Sequence, residues 1–491
     1  MMIRTATRRT LRAGWTGISA LQRHWVFALA LIGGAALRVV AMLGYPGVLW
    51  FTGDSYFYLG YALRPRPSPS KTLGYPFALG LLEPFHNLAL IAGLQHLMGL
   101  ATAVLIYALL RRAGLAGWLA TLINLPVLYD AFQIQLEQLL MAESLFTFLM
   151  AVAVTLLLWN RRPVWWIALA AGLLLGYAVL VRTAGAAMIP LAIGFLLIRR
   201  AGWRACAAAA LGGVVPLAAY AMWFHSARGT YGLTSSDGVY LWGRTSTFAD
   251  CSKMNPPVQE RSLCMTIPPR ERLAPGTLIW RSQAPVRHMS GSAVSAANNK
   301  LLRDFSVRAI TAQPADYLYT IARGVGMAVS PRRYRHPNPT TEALYHFRER
   351  PQLFPAGGRW AGNGTALGDA WAYGRSVPSR VVEPYAGAMR HYQHHVALPG
   401  PALGAILVLG AAGVAFARGM RTAVLSAWSA AVALLVFPIA TADFDYRYVL
   451  PAVPFACLAV GFALVPLQAL ITRWSGNRGS RPPDSDPATA P

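Results

Sequence analysis

Charge is what this sequence lacks. Only 13% of its 491 residues are charged, against 55% hydrophobic, whereas soluble domains carry about 25% charged residues. That shortage excludes a chain that meets water over its whole surface, and it places much of the chain in lipid. Acids are scarcer still, 19 Asp+Glu against 44 Lys+Arg. A balance this basic suits nucleic acid, anionic lipid head groups or phosphate-bearing substrates. The cations are scattered among apolar stretches and no nucleic-acid-binding motif occurs, so nucleic acid is set aside as a partner. Cysteine is limited to four, Cys206, Cys251, Cys264 and Cys457, too few and too far from histidine to suggest a metal centre. No internal repeat is visible.

What the chain does have is apolar runs of near-membrane length. Ten occur, at approximately 25–43, 88–110, 115–132, 139–159, 164–181, 184–198, 205–224, 401–417, 423–442 and 448–471. The third and sixth are short enough to be tilted or re-entrant. The first follows a basic stretch (Arg4, Arg8, Arg9, Arg12) and has no small-x-small cleavage site after it, so it is expected to stay as an anchor. The expected fold is an all-α polytopic membrane protein with about ten transmembrane helices. Short basic connections stay inside, and every second connection is basic: Arg111 and Arg112, Arg161 and Arg162, Arg199 with Arg200 and Arg204, Arg418 with Arg421, then Arg473 and Arg478. The alternate short connections carry acids instead (Asp130, Glu137, Glu143, then Asp443 and Asp445). Both termini are therefore expected in the cytoplasm, with the chain a multi-pass protein of the plasma (inner) membrane.

The expected divisions are a basic cytoplasmic N-terminus (1–24), a core of about seven spans (25–224) holding a first outer loop at 45–87, a large extracytoplasmic loop domain (225–398), three C-terminal spans (399–472) and a disordered Pro/Ser-rich tail (473–491). The large loop is too long for a plain connection and should be an ordered unit of mixed structure. It contains Cys251 and Cys264 around a Pro-rich segment on the oxidising side, which suggests a disulfide. Its SPRRYRHPNP stretch (330–339) has two readings: a basic segment resting on anionic lipid, or Arg332, Arg333 or Arg335 gripping a phosphate or an anionic acceptor. His391, His394 and His395 have the spacing of one helix turn, but an interfacial cluster is expected rather than a metal site. Asn363-Gly364-Thr365 matches a glycosylation acceptor, a short motif with little weight.

Chemistry concentrates in the first outer loop, WFTGDSYFYLGYALRPRPSPSKTLGYPFALGLL (50–82). It holds Asp54, the first carboxylate after the first apolar run, a basic cluster (Arg64, Arg66, Lys71) and many aromatics. Four more features are expected at the same membrane face: Glu143 in MAESLF, Arg182 in LVRTAG, and Arg447 with Tyr448 in DFDYRYVLPAVPF. Ionisable groups near lipid are costly and count as functional candidates. Each also has a plainer role open to it. Arg182 and Arg447 could snorkel to the interface, Glu143 could cap a helix, and Lys71 could be solvated. Asp54 fits a solvated turn less well, because the aromatic YFYLGY follows it. As a catalytic set, Asp54 would take the proton of an attacking hydroxyl. Lys71, Arg182 and Arg447 would hold the phosphate of a leaving group. Tyr58, Tyr75, Glu143 and Tyr448 are candidates for the substrate pocket.

These segments together resemble the integral-membrane glycosyltransferases of the GT-C superfamily, in the branch of aminoarabinose transferases, protein O-mannosyltransferases and actinobacterial envelope mannosyl- and arabinosyltransferases. The likeness rests on GDS with Asp54, KTLGYP from Lys71 to Pro76, MAESLF, LVRTAG and the final YRYVLPAVPF, and it covers roughly 25–200 and the last span. It implies membrane-parallel helices in the first outer loop and a polyprenyl-phosphate-linked sugar as donor. It also implies an envelope glycan, glycolipid or protein as acceptor, and Asp54 as the base of a single displacement. The sugar would be mannose or a pentose such as arabinofuranose. Where the family often has an acidic pair, Ser55 follows Asp54, so the use of a divalent metal is left open. Two other classes compete: a transporter or flippase for lipids or lipid-linked sugars, and an envelope polymerase or ligase of another membrane fold.

Overall fold

A computed structural model describes residues 3–355, 361–375 and 380–478, with side chains over 24–355, 361–375 and 380–471. The arginines expected to make the N-terminus basic, and the part of the expected tail beyond 478, lie outside the described side chains and residues respectively. Helices account for nearly all regular structure. Among the described residues there is no strand; an isolated parallel bridge joins Leu49 and Leu139. The outer segment, expected to be mixed, is thus helical with irregular connections. The first six residues of the expected tail continue the last helix, which runs Val453–Arg478.

Five helices are long and apolar enough to cross a membrane: His24–Gly44, Leu88–Arg112, Trp203–Arg228, Arg421–Thr441 and Tyr446–Ile471. A bent pair, Tyr385–His395 with Gly400–Phe416, makes a sixth if counted as one span. Four shorter apolar helices, Gly117–Tyr129, Glu143–Trp159, Trp165–Val181 and Thr183–Ile198, occupy the remaining positions of the ten expected runs. Large apolar side chains stay exposed on the long helices (Leu29, Ile32, Leu211, Val214, Leu470). Lipid is the solvent that tolerates such surfaces. The chain is an integral membrane protein.

The segment after the first long helix, expected to be an outer loop, is held by a buried polar network. Arg38, on the first long helix, donates from Nε and Nη2 to both carboxylate oxygens of Glu137 at 2.8 and 3.0 Å. Its Nη1 donates to the carbonyls of Gly34 and Leu128. His96 faces Glu137 Oε2 at 2.9 Å and Gln138 Oε1 at 2.7 Å. The Gln138 amide donates to the carbonyls of Tyr45 and Gly47. Gln95 donates to the carbonyls of Glu137 and Leu139 and accepts from the Tyr75 hydroxyl. Backbone amides exchanged between Leu49 and the 138–140 segment close the join. A paired and fully hydrogen-bonded charge is the form in which ions persist away from water. Here the pairing fastens residues 45–55 to the start of the Glu143–Trp159 helix.

The large outer segment divides between two cores. Residues 237–312 pack their own cluster around Trp242, Phe248, Leu263, Leu302 and Phe305, with Cys251 and Cys264 disulfide-bonded. Leu344, Tyr345, Phe347, Tyr373 and Met389 instead join the main core. The Arg64 guanidinium, at the end of the Asp54–Leu63 helix, binds Asp369 and the Ala361 carbonyl. It therefore fastens the first loop to this later segment.

Candidate functional site

Asp54 opens the Asp54–Leu63 helix, directly after Gly53 at φ +80°. That backbone region favours glycine, and it turns the chain so that Asp54 leads the helix. Ser55 Oγ fixes the turn by accepting from the Phe51 amide and donating to the Leu140 carbonyl. Lys71 returns from the irregular 64–73 stretch, ahead of the Gly74–Leu82 helix. A Cβ at Gly74 would stand 2.4 Å from the backbone of Leu180. Only glycine lets this helix start lie against the end of the Trp165–Val181 helix, beside Arg182.

The two carboxylate oxygens of Asp54 are each held by a different cation. Lys71 Nζ donates to Oδ1, and Arg447 Nη1, from 393 residues later in the chain, donates to Oδ2. Arg447 Nε lies 3.1 Å from Asp445 Oδ2 and 3.8 Å from Glu143 Oε1. Arg182 Nη1 pairs with the same Glu143 oxygen. Three cations and three acids thus make one contiguous cluster. Aromatic rings wall it. Lys71 Nζ stands 5.2 Å from the Phe57 ring and 5.4 Å from the Tyr58 ring. Arg182 stands 4.9 Å from the Tyr448 ring, and Arg447 5.0 Å from Phe51. Tyr58 meets Tyr75 edge-on at 5.0 Å. These contacts belong to the class in which a cation is attracted to a ring face.

The electrostatics follow from that packing. Burial alone would raise the Asp54 pKa, but the charges of Lys71 and Arg447 outweigh it and hold the carboxyl well below the usual range. Burial pulls Lys71 down, opposed by Asp54. The Tyr58 phenol is pushed up by burial first and by the Asp54 charge second. Glu143 is fully buried, and its Oε2 has no hydrogen-bond partner among the described residues. A buried polar atom without a partner is costly, so this oxygen is a candidate to receive a ligand hydroxyl.

Asp54, Lys71, Glu143, Arg182, Arg447, Tyr58, Tyr75 and Tyr448 all lie in or against this cluster. His391, His394 and His395 do not. Their rings meet tilted and edge-on at 4.4 and 4.9 Å and none partners Asp54. Asp445 and Tyr345, like the walling rings of Phe51 and Phe57, were not singled out in the sequence as members of the site. Asp445 holds Arg447 from behind, and Tyr345 donates its hydroxyl to Asp445. Asp445 stands in the same DFDYRY stretch and was noted only as an outer-face acid. Tyr345 carries no sequence signal, because its link to the site spans 100 residues.

A family model described as dolichyl-phosphate-mannose-protein mannosyltransferase matches residues 79–232. That match repeats, over about a third of the chain, the GT-C resemblance read from the sequence motifs. The chain is also similar to solved structures of the oligosaccharyltransferase of Archaeoglobus fulgidus. For the form tethered to an acceptor peptide containing the NVT sequon, identity is 13% and the TM-score 0.39, over 95% of this chain and 53% of that one. For the form in complex with an inhibitory peptide and a dolichol-phosphate, the values are 14% and 0.38 over the same shares. This chain spans about half the length of those structures. Among curated proteins none matches it.

Proposed function

We propose that the chain is a membrane glycosyltransferase that moves a sugar from a polyprenyl-phosphate carrier to a hydroxyl group of a cell-envelope acceptor. One observation carries the reading: a half-buried aspartate of the first outer loop is gripped by a lysine of that loop and an arginine of the last span, beside a second arginine. The family match over 79–232, whose description names a lipid-phosphate-linked mannose donor, supports the donor class. The sugar is mannose or a pentose such as arabinofuranose. The acceptor is an envelope glycan, glycolipid or protein. The basic short connections support an extracytoplasmic site with both termini in the cytoplasm. Residues 45–87 then form the catalytic loop, 25–224 and 399–472 the membrane part, and 225–398 the outer part.

The step is a single displacement. The acceptor oxygen attacks the anomeric carbon, the bond from that carbon to the phosphate oxygen breaks, and its electron pair leaves with the lipid phosphate. The acceptor proton passes to Asp54. Lys71, Arg182 and Arg447 offset the charge that develops on the phosphate. An aspartate held by two cations is a weak base, because efficiency in proton transfer rises with basicity toward the working pH. An incoming phosphate competes for the same cations. As Lys71 turns from Asp54 to the phosphate, the carboxylate loses a stabilising charge and becomes the stronger base only when donor is in place. Tyr58, Tyr75 and Tyr448 line the space where the sugar would lie. The three acids are engaged by lysine and arginine, and no group of three His, Cys, Asp or Glu among the described residues is placed to hold a metal. No step is routed through one.

The test is transfer from a panel of polyprenyl-phosphate sugars by the purified chain in lipid, with and without Asp54→Asn. Loss of a positioned base costs about 10²–10⁴-fold, and that is the expected drop in turnover. Undiminished transfer by the variant removes the mechanism. Substitution of His391, His394 and His395 should leave transfer intact; the opposite pattern favours an envelope polymerase or ligase of another fold.

A further inference from the structure

A cavity of about 190 Å³ lies behind the catalytic cluster, between the 327–333 segment and the Gly400–Phe416 and Tyr446–Ile471 helices. Its inner part is apolar, lined by Leu403, Val449, Leu450 and Val453, and its rim carries Arg332 and Arg333. The Arg333 guanidinium sits between two rings, 3.7 Å from Phe132 and 3.9 Å from Tyr446. Its Nε donates to Glu342. Stacking of that kind fixes the plane of the guanidinium and leaves its terminal nitrogens free to fork onto an oxyanion. Among the described residues, the Arg332 guanidinium has no ion-pair or hydrogen-bond partner. The one acid that lines the cavity is Asp130, buried and engaged by the amides of Phe132 and Leu398.

We infer that this cavity binds an anionic phospholipid, with its phosphate on Arg332 and Arg333 and the first methylenes of its tail against Leu403, Leu450 and Val453. A soluble anion would leave the apolar part wet, and a neutral lipid would leave Arg332 without a counter-charge, Arg333 being paired with Glu342. Asp130 repels phosphate from the deep wall, which keeps the head group at the arginine rim. The site is separate from the one proposed for the sugar carrier. Tyr446 and Val449 face the cavity, whereas on the same short Tyr446–Val449 helix Arg447 reaches Asp54 and Tyr448 lies against Arg182. The two sites share a wall rather than a space. Tyr345 lines the cavity while its hydroxyl holds Asp445, which in turn holds Arg447. This inference stands on the cavity alone and does not require the chain to transfer sugar.

The experiment is a titration of the purified full chain in neutral detergent with short-chain phosphatidylglycerol, phosphatidylcholine and inorganic phosphate, followed calorimetrically. Saturable binding of phosphatidylglycerol is expected at least tenfold tighter than of either comparison ligand. Arg332→Ala should weaken it about tenfold, and Leu403→Trp, which fills the apolar part, should abolish it. Arg332 is exposed and its guanidinium has no partner among the described residues, so that variant is expected to fold even if Leu403→Trp does not. Equal binding of the two lipids overturns the proposal, as does indifference to Arg332→Ala. Competition by inorganic phosphate at matching affinity overturns it in favour of a free-phosphate site. Competition by polyprenyl phosphate also overturns it, because the cavity then belongs to the carrier.

Discussion

Asp54 holds two cations at once, and the consequence is a measurable pH signature. Its carboxyl titrates well below the ordinary aspartate value of about 3.9. A carboxylate depressed in this way stabilises the folded chain above the unfolded pKa, and that contribution is lost as pH falls through the lower folded value. The acid limb of kcat/KM, which reports the free enzyme, should therefore lie below pH ~4. The acid limb of kcat reports the donor-bound enzyme, in which Lys71 has turned to phosphate, and should lie at higher pH. In Lys71→Met the kcat/KM limb should move up toward the ordinary value, with Arg447 alone left on the carboxylate. Coincident limbs in the unaltered chain, measured over pH 3–8, would show that donor binding does not release Asp54. At this scale the sequence was informative because charge is so rare in it. An acid or a cation at the end of an apolar run has few reasons to be there, and Asp54, Lys71, Glu143, Arg182 and Arg447 could be picked out one by one. What no spacing could supply was their pairing. Arg447 was placed with the phosphate ligands, and the structure shows it shared among Asp54, Asp445 and Glu143.

The elements that carry these residues are short, and their junctions matter more than their lengths. Residues 139–142, between the Ala131–Gln138 and Glu143–Trp159 helices, pair with the first loop rather than extend either helix. Arg38, Glu137 and His96 hold that junction. Removing one partner of a buried ion pair leaves an uncompensated charge and costs about 3–5 kcal/mol. Arg38→Met should accordingly lower stability by that amount and reduce transfer as well, since the strap from 45 to 55 loses its anchor. The double change Arg38→Met with Glu137→Met should recover much of the stability. Chemical denaturation in detergent or nanodiscs measures both, and equal losses in the single and double variants would exclude a paired charge as the cause. In the outer segment, the Cys251–Cys264 bond closes a 13-residue separation. A disulfide closing a loop of about 15 residues contributes roughly 3 kcal/mol. Cys251→Ser should loosen the Trp242 cluster by that order while the membrane core keeps its melting behaviour, which hydrogen exchange can resolve segment by segment. Helix boundaries inside apolar stretches were the least legible part. Hydrophobic periodicity fades when a helix is apolar all round, so the run read as 115–132 hid the helix end at Tyr129, and the run read from 184 hid that Thr183–Ala187 is a 3-10 turn.

For the whole molecule, length and charge make two separate statements about topology, and they can be set against each other. Length alone gives five or six helices that cross by themselves, with four apolar helices of 13 to 17 residues left over. Charge gives a parity: short basic connections alternate with short acidic ones from the first apolar run to the last. If the four shorter helices failed to cross, Arg111 and Arg112, at the end of the Leu88–Arg112 helix, would stay inside, but the return to Arg199 and Arg200 would need no further crossing. The Glu143–Arg182 pair would then lie on the cytoplasmic side. That pair is bound to the same Arg447 as Asp54, so both share one face, and the proposed topology with its basic connections inside requires the shorter helices to cross. The 13-residue Gly117–Tyr129 helix spans only about 20 Å at 1.5 Å per residue, less than the ~30 Å hydrocarbon core. If it crosses, the Ala131–Gln138 helix that follows the break at Asp130 must make up the missing length. Tags at 113, 162 and 200 should therefore be accessible only from the cytoplasm, and tags at 68 and 290 only from the opposite side. A tag at 162 accessible from the same side as one at 68 would break the parity and move Glu143 away from Asp54. It would thereby contradict the cluster on which the proposed chemistry depends.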